Sequence, residues 1–181
     1  MGIRGLTAYI NKHKFNFLEH YKLCDTYLVI DGNNISCSLY TKCTCDNWTF
    51  GGDYDNYAQC ISDFFDDLLK CNITPLVFID GSVESKKFKT IVRRIKEKLN
   101  VLPVSVFRTS CSQKLFPLLT QQVFIDVMKE KNIRYVQCLF EADNTMASVA
   151  KILNCPVLSY DSDFYIYGSL YIPFNTFQND D

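Results

Sequence analysis

The chain has 181 residues and a formal net charge of −1, with 48% of its residues apolar and 14% aromatic. That length suits one domain able to bury roughly two-thirds of its unfolded surface, and the absence of Gly/Ser- or Pro-rich stretches excludes a disordered chain or an internal linker. No apolar run reaches the length of a membrane span, and the opening MGIRGL lacks a signal-peptide h-region and the Ser or Thr that N-myristoylation wants at position six.

The nine cysteines are odd in number. Cys24, Cys37, Cys60, Cys71 and Cys138 fall in apolar-periodic segments where a thiol acts as a small core hydrophobe, which predicts a reduced, intracellular protein. Cys43 and Cys45 form no C-x-x-C, and His13 and His20 lie in another segment, so zinc is not expected.

Residues 26–31 (TYLVID) form a short apolar run ending in an acid, and Gly32-Asn33-Asn34 leads into an apolar stretch to Tyr40, which reads as strand, turn and helix. Residues 55–71 place Tyr57, Ile61, Phe64, Phe65, Leu68 and Leu69 at helical spacing, with Asp63, Asp66 and Asp67 on a solvated face. Residues 75–80 (PLVFID) repeat the first pattern, and Gly81 follows as Gly32 does.

Residues 85–99 read as a helix carrying Lys86, Lys87, Lys89, Arg93, Arg94, Lys96 and Lys98 against Glu97, a concentrated basic patch. Residues 101–117, bounded by prolines and rich in Ser and Thr, read as a loop and a candidate mobile arch. Pro117 suits the first turn of a helix to about Lys131. A third strand at 135–139, a helix at 141–153 and a fourth strand at 156–159 complete the series.

Apolar strands alternating with helices predict one α/β domain over residues 1–181, with a mostly parallel sheet covered on both faces. Sites in such sheets lie beyond the carboxyl ends of the strands. There stand Asp31, Asp80, Glu141 with Asp143, and Asp161 with Asp163.

Each acid alone also reads as a helix N-cap. Six together would repel one another and destabilise the fold unless cations bound between them. The set is all oxygen, which suits Mg²⁺ or Mn²⁺, and two such ions about 3.5–4 Å apart serve in-line displacement at phosphorus. With six acids committed to metal, the rest of the chain is net positive, so its overall charge does not argue against a nucleic-acid partner. A Walker loop, a dinucleotide fingerprint and a G-x-S-x-G elbow are absent from the sequence. Asp161-Ser162-Asp163 alone would also suit the D-x-D of a glycosyltransferase or phosphotransferase, but the other strand ends favour phosphodiester hydrolysis.

Met1-Gly2-Ile3-Arg4-Gly5-Leu6, Val29-Ile30-Asp31-Gly32, Val77-Phe78-Ile79-Asp80-Gly81, Glu141-Ala142-Asp143 and Asp161-Ser162-Asp163 stand in the order and rough spacing of the flap endonuclease/XPG nucleases, which the chain resembles over nearly its whole length. Gly51-Gly52-Asp53-Tyr54-Asp55, Cys71-Asn72-Ile73 and Val136-Gln137-Cys138 with Phe140-Glu141-Ala142-Asp143 resemble the asteroid homologues within that superfamily.

The resemblance implies a PIN-like three-layer fold, two Mg²⁺ ions with Mn²⁺ as an alternative, and structure-dependent cleavage of branched or single-stranded DNA. It further implies a role in DNA repair, nuclear residence and a monomer without a membrane partner, and it names no protein partner. By the same resemblance Asp31, Asp80, Glu141, Asp143, Asp161 and Asp163 match metal ligands, and Gly2 packs near the site on the DNA side. Lys87 and Arg94, seven and fourteen residues beyond Asp80, match arch-side cations that hold the scissile phosphate. Seven residues make two helical turns, so both would project from one face. Lys86, Lys89 and Arg93 accompany them as nucleic-acid contacts.

The chain also departs from the pattern. A base-stacking Tyr is expected six residues after Asp31, but Cys37 stands there, with Tyr40 a turn further on. Asp143 replaces a Glu, and relatives continue past the position of Asp181 into a helical DNA-binding element and a further acidic ligand, so duplex anchoring by these residues is expected to be weak. A second reading therefore stays open: a nuclease-fold binding or regulatory module linked to signalling.

Overall fold

A computed structural model describes residues 3, 5–43, 52–105 and 116–177, without the side chains of 86 and 98–105. Among these residues five strands, β1 (Tyr27–Asp31), β2 (Thr74–Ile79), β3 (Arg134–Gln137), β4 (Val157–Ser159) and β5 (Tyr171–Pro173), form an all-parallel sheet in the order β3-β2-β1-β4-β5. The order reverses between β1 and β4, which makes their carboxyl ends the switch point where α/β sheets place their sites.

Two short helices, α1 (Leu6–Lys12) and α2 (Lys14–Phe17), precede the sheet. The connections carry α3 (Gly32–Cys43), α4 (Tyr54–Lys70), a 3-10 turn (Ser85–Lys87) running into α5 (Phe88–Ser105), α6 (Thr120–Glu130), α7 (Asp143–Leu153) and the single-turn α8 (Phe164–Tyr167).

Strand alternation divides the core between the two faces of the sheet. Leu28, Ile30, Val77, Ile79 and Leu158 pack with Ile35 and Leu39 of α3, Tyr57, Ile61 and Phe65 of α4, and Phe124 and Met128 of α6. Val29, Phe78 and Val157 pack on the opposite face with Met146, Ala147 and Ala150 of α7 and Phe164 of α8. The central strands are therefore buried on both sides, as continuous apolar runs require.

Several expectations need correction. Residues 101–105 are the end of α5 rather than loop, because one proline costs a helix a main-chain bond without having to stop it. Residues 106–115 of the expected arch lie outside the described residues. The helix expected from Pro117 begins at Thr120, whose N–H and hydroxyl both donate to the Pro117 carbonyl. β5 was not expected: it is three residues long and ends in Pro173, which an edge strand accommodates.

The cysteines also differ from the reduced-core expectation. Cys43, at the end of α3, is disulfide-bonded to Cys60 in α4. Cys24 and Cys71 are exposed, Cys37 and Cys138 half-buried, and the buried free thiol among the described residues is Cys155.

Candidate active site

Asp31 ends β1 and is only 5% exposed. Its Oδ1 accepts from the Asn34 backbone N–H at 3.0 Å, which makes it the N-cap of α3. Its Oδ2 accepts from the Asn34 side-chain amide and, at 2.7 Å, from the Ser159 hydroxyl. Burial pushes its carboxyl above the ordinary value against these three hydrogen bonds, and the nearby Asp80 adds to the rise.

Asp80 follows β2 and meets the same helix. Its Oδ2 accepts from Asn33 Nδ2 at 3.2 Å, its own N–H donates to Asn33 Oδ1 at 3.2 Å, and its Oδ1 accepts from the Ala142 N–H at 2.9 Å. Both aspartates are followed by glycine for a steric reason. A Cβ on Gly32 would meet the Phe78 carbonyl at 2.9 Å, and one on Gly81 would collide with the carbonyls of Cys138 and Leu139. Gly81 and Ser82 instead donate to Phe140 and Leu139 at 2.8 Å, zipping the loop after β2 to the loop after β3. That seam brings Asp80 beside Glu141 and Asp143.

Beyond β4, the fully buried Ser159 hydroxyl accepts from the Asp161 N–H at 3.0 Å, and Asp161 Oδ1 accepts from the Asp163 N–H at 3.1 Å. Asp143, at the start of α7, shows how close the acids lie. Burial first, then Asp31, Asp161, Asp80 and Glu141 in turn, push its carboxyl up to about 7. Glu141 is ion-paired to Lys87, and the hydrogen bond between them raises the Lys87 ammonium above its ordinary value.

The structure thus brings Asp31, Asp80, Glu141, Asp143 and Asp161 together at the ends of β1, β2, β3 and β4, with Lys87 on Glu141, while Asp163 is tied to them through its N–H on Asp161. Arg94 stands exposed on α5, as do Lys89 and Arg93, the last paired with Glu97 at 3.7 Å. Lys87 belongs to the 3-10 turn, which winds more tightly than an α-helix, so two plain α-turns do not relate it to Arg94. Lys86 shares that turn, and Gly2 lies outside the described residues. Tyr40 does not stand in for the stacking tyrosine: it is 3% exposed and packs edge-on against Tyr57 and Phe116. Sequence reasoning passed over Asn33, Asn34 and Ser159, whose only signal was their nearness to acids at two strand ends.

The donor set suits hard divalent cations. It offers only carboxylate oxygens, two of its members are raised by burial and by neighbouring carboxylates, and Asp31 keeps acceptor capacity beyond its three hydrogen bonds. Among the described residues, no three His, Cys, Asp or Glu side chains already form a coordination cluster. The two observations agree, because carboxylates repel across roughly 8–10 Å whereas ligation requires oxygens about 2.0–2.1 Å from a Mg²⁺ ion. To hold a cation the acids would have to draw closer together.

No family model matches the chain. It is 44% identical over 176 residues to protein asteroid of Drosophila melanogaster, covering 97% of the chain and 20% of that protein. It is 38% identical over 182 residues to the human single-strand DNA endonuclease ASTE1, covering 98% of the chain and 26% of that protein. The fold matches the catalytic core of Rad2 in complex with a DNA substrate, with a TM-score of 0.60 at 18% identity over 87% of this chain and 47% of that one. The chain spans about a fifth to a quarter of the length of the curated relatives it matches. Over that span it is similar to the asteroid proteins and has the α/β fold of the Rad2 catalytic core.

Proposed function

We propose that this chain is a nuclease domain that hydrolyses phosphodiester bonds in single-stranded or branched DNA with two Mg²⁺ ions, in a nuclear DNA-repair setting. The observation that carries the proposal is the convergence of carboxylates at the strand ends, where burial and then Asp31, Asp161, Asp80 and Glu141 raise Asp143, and burial and Asp80 raise Asp31, a cost that cations would relieve. The name of the human relative, a single-strand DNA endonuclease, supplies the substrate class.

In this proposal Asp31, Asp80, Glu141, Asp143, Asp161 and Asp163 hold the cations. The chemistry the cations supply is Lewis acidity at the phosphoryl oxygens and a lowered pKa for an attacking water. Lys87 leaves Glu141 for the scissile phosphate, and Arg94, with Lys86, Lys89 and Arg93, tracks the strand away from the site. Residues 1–181 act as one domain, monomeric in solution.

A second reading, a nuclease-fold binding or regulatory module, is supported by the burial of Tyr40 and the pairing of Lys87 with Glu141, which together leave a base platform and a phosphate contact unmade. Cleavage assays with the purified chain and its Asp80→Asn variant separate the two. Metal-dependent products from the wild type alone support the nuclease. DNA binding without products, identical in both proteins, would support the module.

A further inference from the structure

We propose that the N-terminal corner made by α1 and α2 is a docking surface for single-stranded DNA, with Tyr9, Phe15, Phe17 and Tyr21 as stacking platforms for bases and Lys12, Lys14 and Lys22 as phosphate contacts. The inference rests on the proposed function in one respect only: that the polymer this chain handles is DNA.

The segment from Gly5 to Leu23 sorts its apolar side chains by kind. Its leucines and isoleucine turn inward: Ile10 is buried, Leu6, Leu18 and Leu23 are half-buried, and Leu23 packs on the core that holds Leu28 and Ile30. Its aromatics turn outward. Phe15 is 90% exposed and Tyr21 68%, Tyr9 and Phe17 are exposed beside them, and α2 buries none of its residues. One exposed ring is ordinary. Rings kept outside while every Leu and Ile of the same segment is drawn in make a surface that presents π faces rather than apolar area in general.

The corner is held in shape before any ligand arrives. His13 Nδ1 hydrogen-bonds the Tyr9 carbonyl at 3.0 Å, the His13 ring lies 4.6 Å from that of Tyr9, and Tyr9 lies 5.9 Å from Phe17 across the junction of the two helices. Rigid rings lose little freedom when a base stacks on them.

Charge selects the occupant. Lys12, Lys14 and Lys22 stand exposed among these rings against a single acid, Glu19, and the Lys14 ammonium lies 5.5 Å from the centre of the Phe15 ring. The whole chain carries −1, so this positive excess is local. Interleaved rings and cations suit a single strand, whose unpaired bases each offer a π face and whose phosphates take the lysines. A duplex offers the phosphates but keeps its bases stacked on one another. A helix lying on a membrane turns its leucines outward with its aromatics, and here the leucines face the core.

The test is fluorescence anisotropy of labelled oligo(dT) with the whole chain in chelator, over a range of salt, comparing wild type with Phe15→Leu, Tyr21→Leu, Phe15→Trp and Lys14→Met, with circular dichroism to verify folding. Leucine keeps apolar area and removes the ring, so each leucine variant is expected to bind at least ~5-fold more weakly at an unchanged salt slope, while Phe15→Trp retains binding. Lys14→Met is expected to lower the log–log salt slope by about 0.7. Folded leucine variants with wild-type affinity, equal losses on oligo(dT) and on a duplex of the same length, or a wild type that prefers phosphatidylserine vesicles to oligo(dT) would each overturn the inference. Product formation in Mg²⁺ reports on the nuclease reading separately. A wild type that cuts single strands while the leucine variants bind normally would overturn the docking surface and leave that reading intact, and a wild type that neither binds oligo(dT) nor cuts it would remove both.

Discussion

Lys87 at the head of the basic helix and Glu141, 54 residues further along, form an ion pair beside Asp143. The ammonium neutralises a carboxylate that a cation would otherwise claim. With a cation bound, Glu141 would be among its ligands and Lys87 would be released to hold the phosphate.

Replacing Lys87 by Met should therefore separate binding from turnover. Cleavage is expected to fall by about 10²-fold, the usual cost of losing one donor that stabilises transition-state charge, while Mg²⁺ affinity stays the same or rises because a competing cation is gone. Weakened Mg²⁺ binding in this variant would contradict the exchange.

The elevated Asp143 carboxyl sets a pH dependence. Its folded value of about 7 stands above the ordinary 3.8, so between those values the folded chain holds a proton that the unfolded chain has released. Without divalent cations this group's contribution to stability falls as pH rises through that window and levels off above it. Asp143→Asn removes the effect, so its stability relative to wild type is expected to increase from about pH 5 to about pH 8 in chelator, followed by thermal unfolding. Saturating Mg²⁺ should shrink the difference, and a pH-independent difference would contradict the assignment.

The disulfide between Cys43 and Cys60 closes 17 residues of sequence and ties α3, which carries Asn33 and Asn34, to α4. A loop of that length is worth roughly 3 kcal/mol through the unfolded chain. Urea unfolding should show a loss of that order on reduction of the wild type and none on reduction of Cys60→Ser. Mass spectrometry after alkylation would show both cysteines blocked only once reductant has been added. Equal stability with and without reductant would contradict the bridge.

Arg94 stands exposed, clear of the Lys87–Glu141 pair, so its contribution should be electrostatic. Arg94→Ala is expected to reduce the log–log salt slope of single-stranded DNA binding by about 0.7, the value for one phosphate contact. An unchanged slope would place the strand elsewhere.

Much of this architecture was legible in the sequence for reasons the structure makes physical. Val29 and Ile30 face opposite sides of the sheet and are both fully buried, which is why β1 reads as an unbroken apolar run rather than an alternating one. The Ile-Asp-Gly repeat was visible because Gly32 and Gly81 each admit a neighbouring backbone that a side chain would block. Asp31 caps α3, and the ligand role proposed for it uses the same position, so the two readings weighed for it do not exclude each other.

Other features left no local trace. Ser159 is one more small polar residue at a strand end until the fold brings Asp31 to it from 128 residues away. Cys43 and Cys60 sit on different helices whose packing their spacing does not encode. Whether Tyr40, a turn beyond Cys37, replaces the missing stacking tyrosine is open in the sequence, and only tertiary packing against Tyr57 and Phe116 commits it to the core. β5 is too short for a periodicity to register.

The most direct test of the central claim is incubation of the purified chain with labelled single-stranded, flap and overhang DNA, in Mg²⁺ and in chelator, beside Asp161→Ala. Metal-dependent cleavage by the wild type that the folded variant lacks is the expected result. Cleavage that persists in chelator or in the variant, or a wild type that binds Mg²⁺ and DNA without cutting any of the three, would contradict the assignment of the acidic ring as a phosphodiesterase centre.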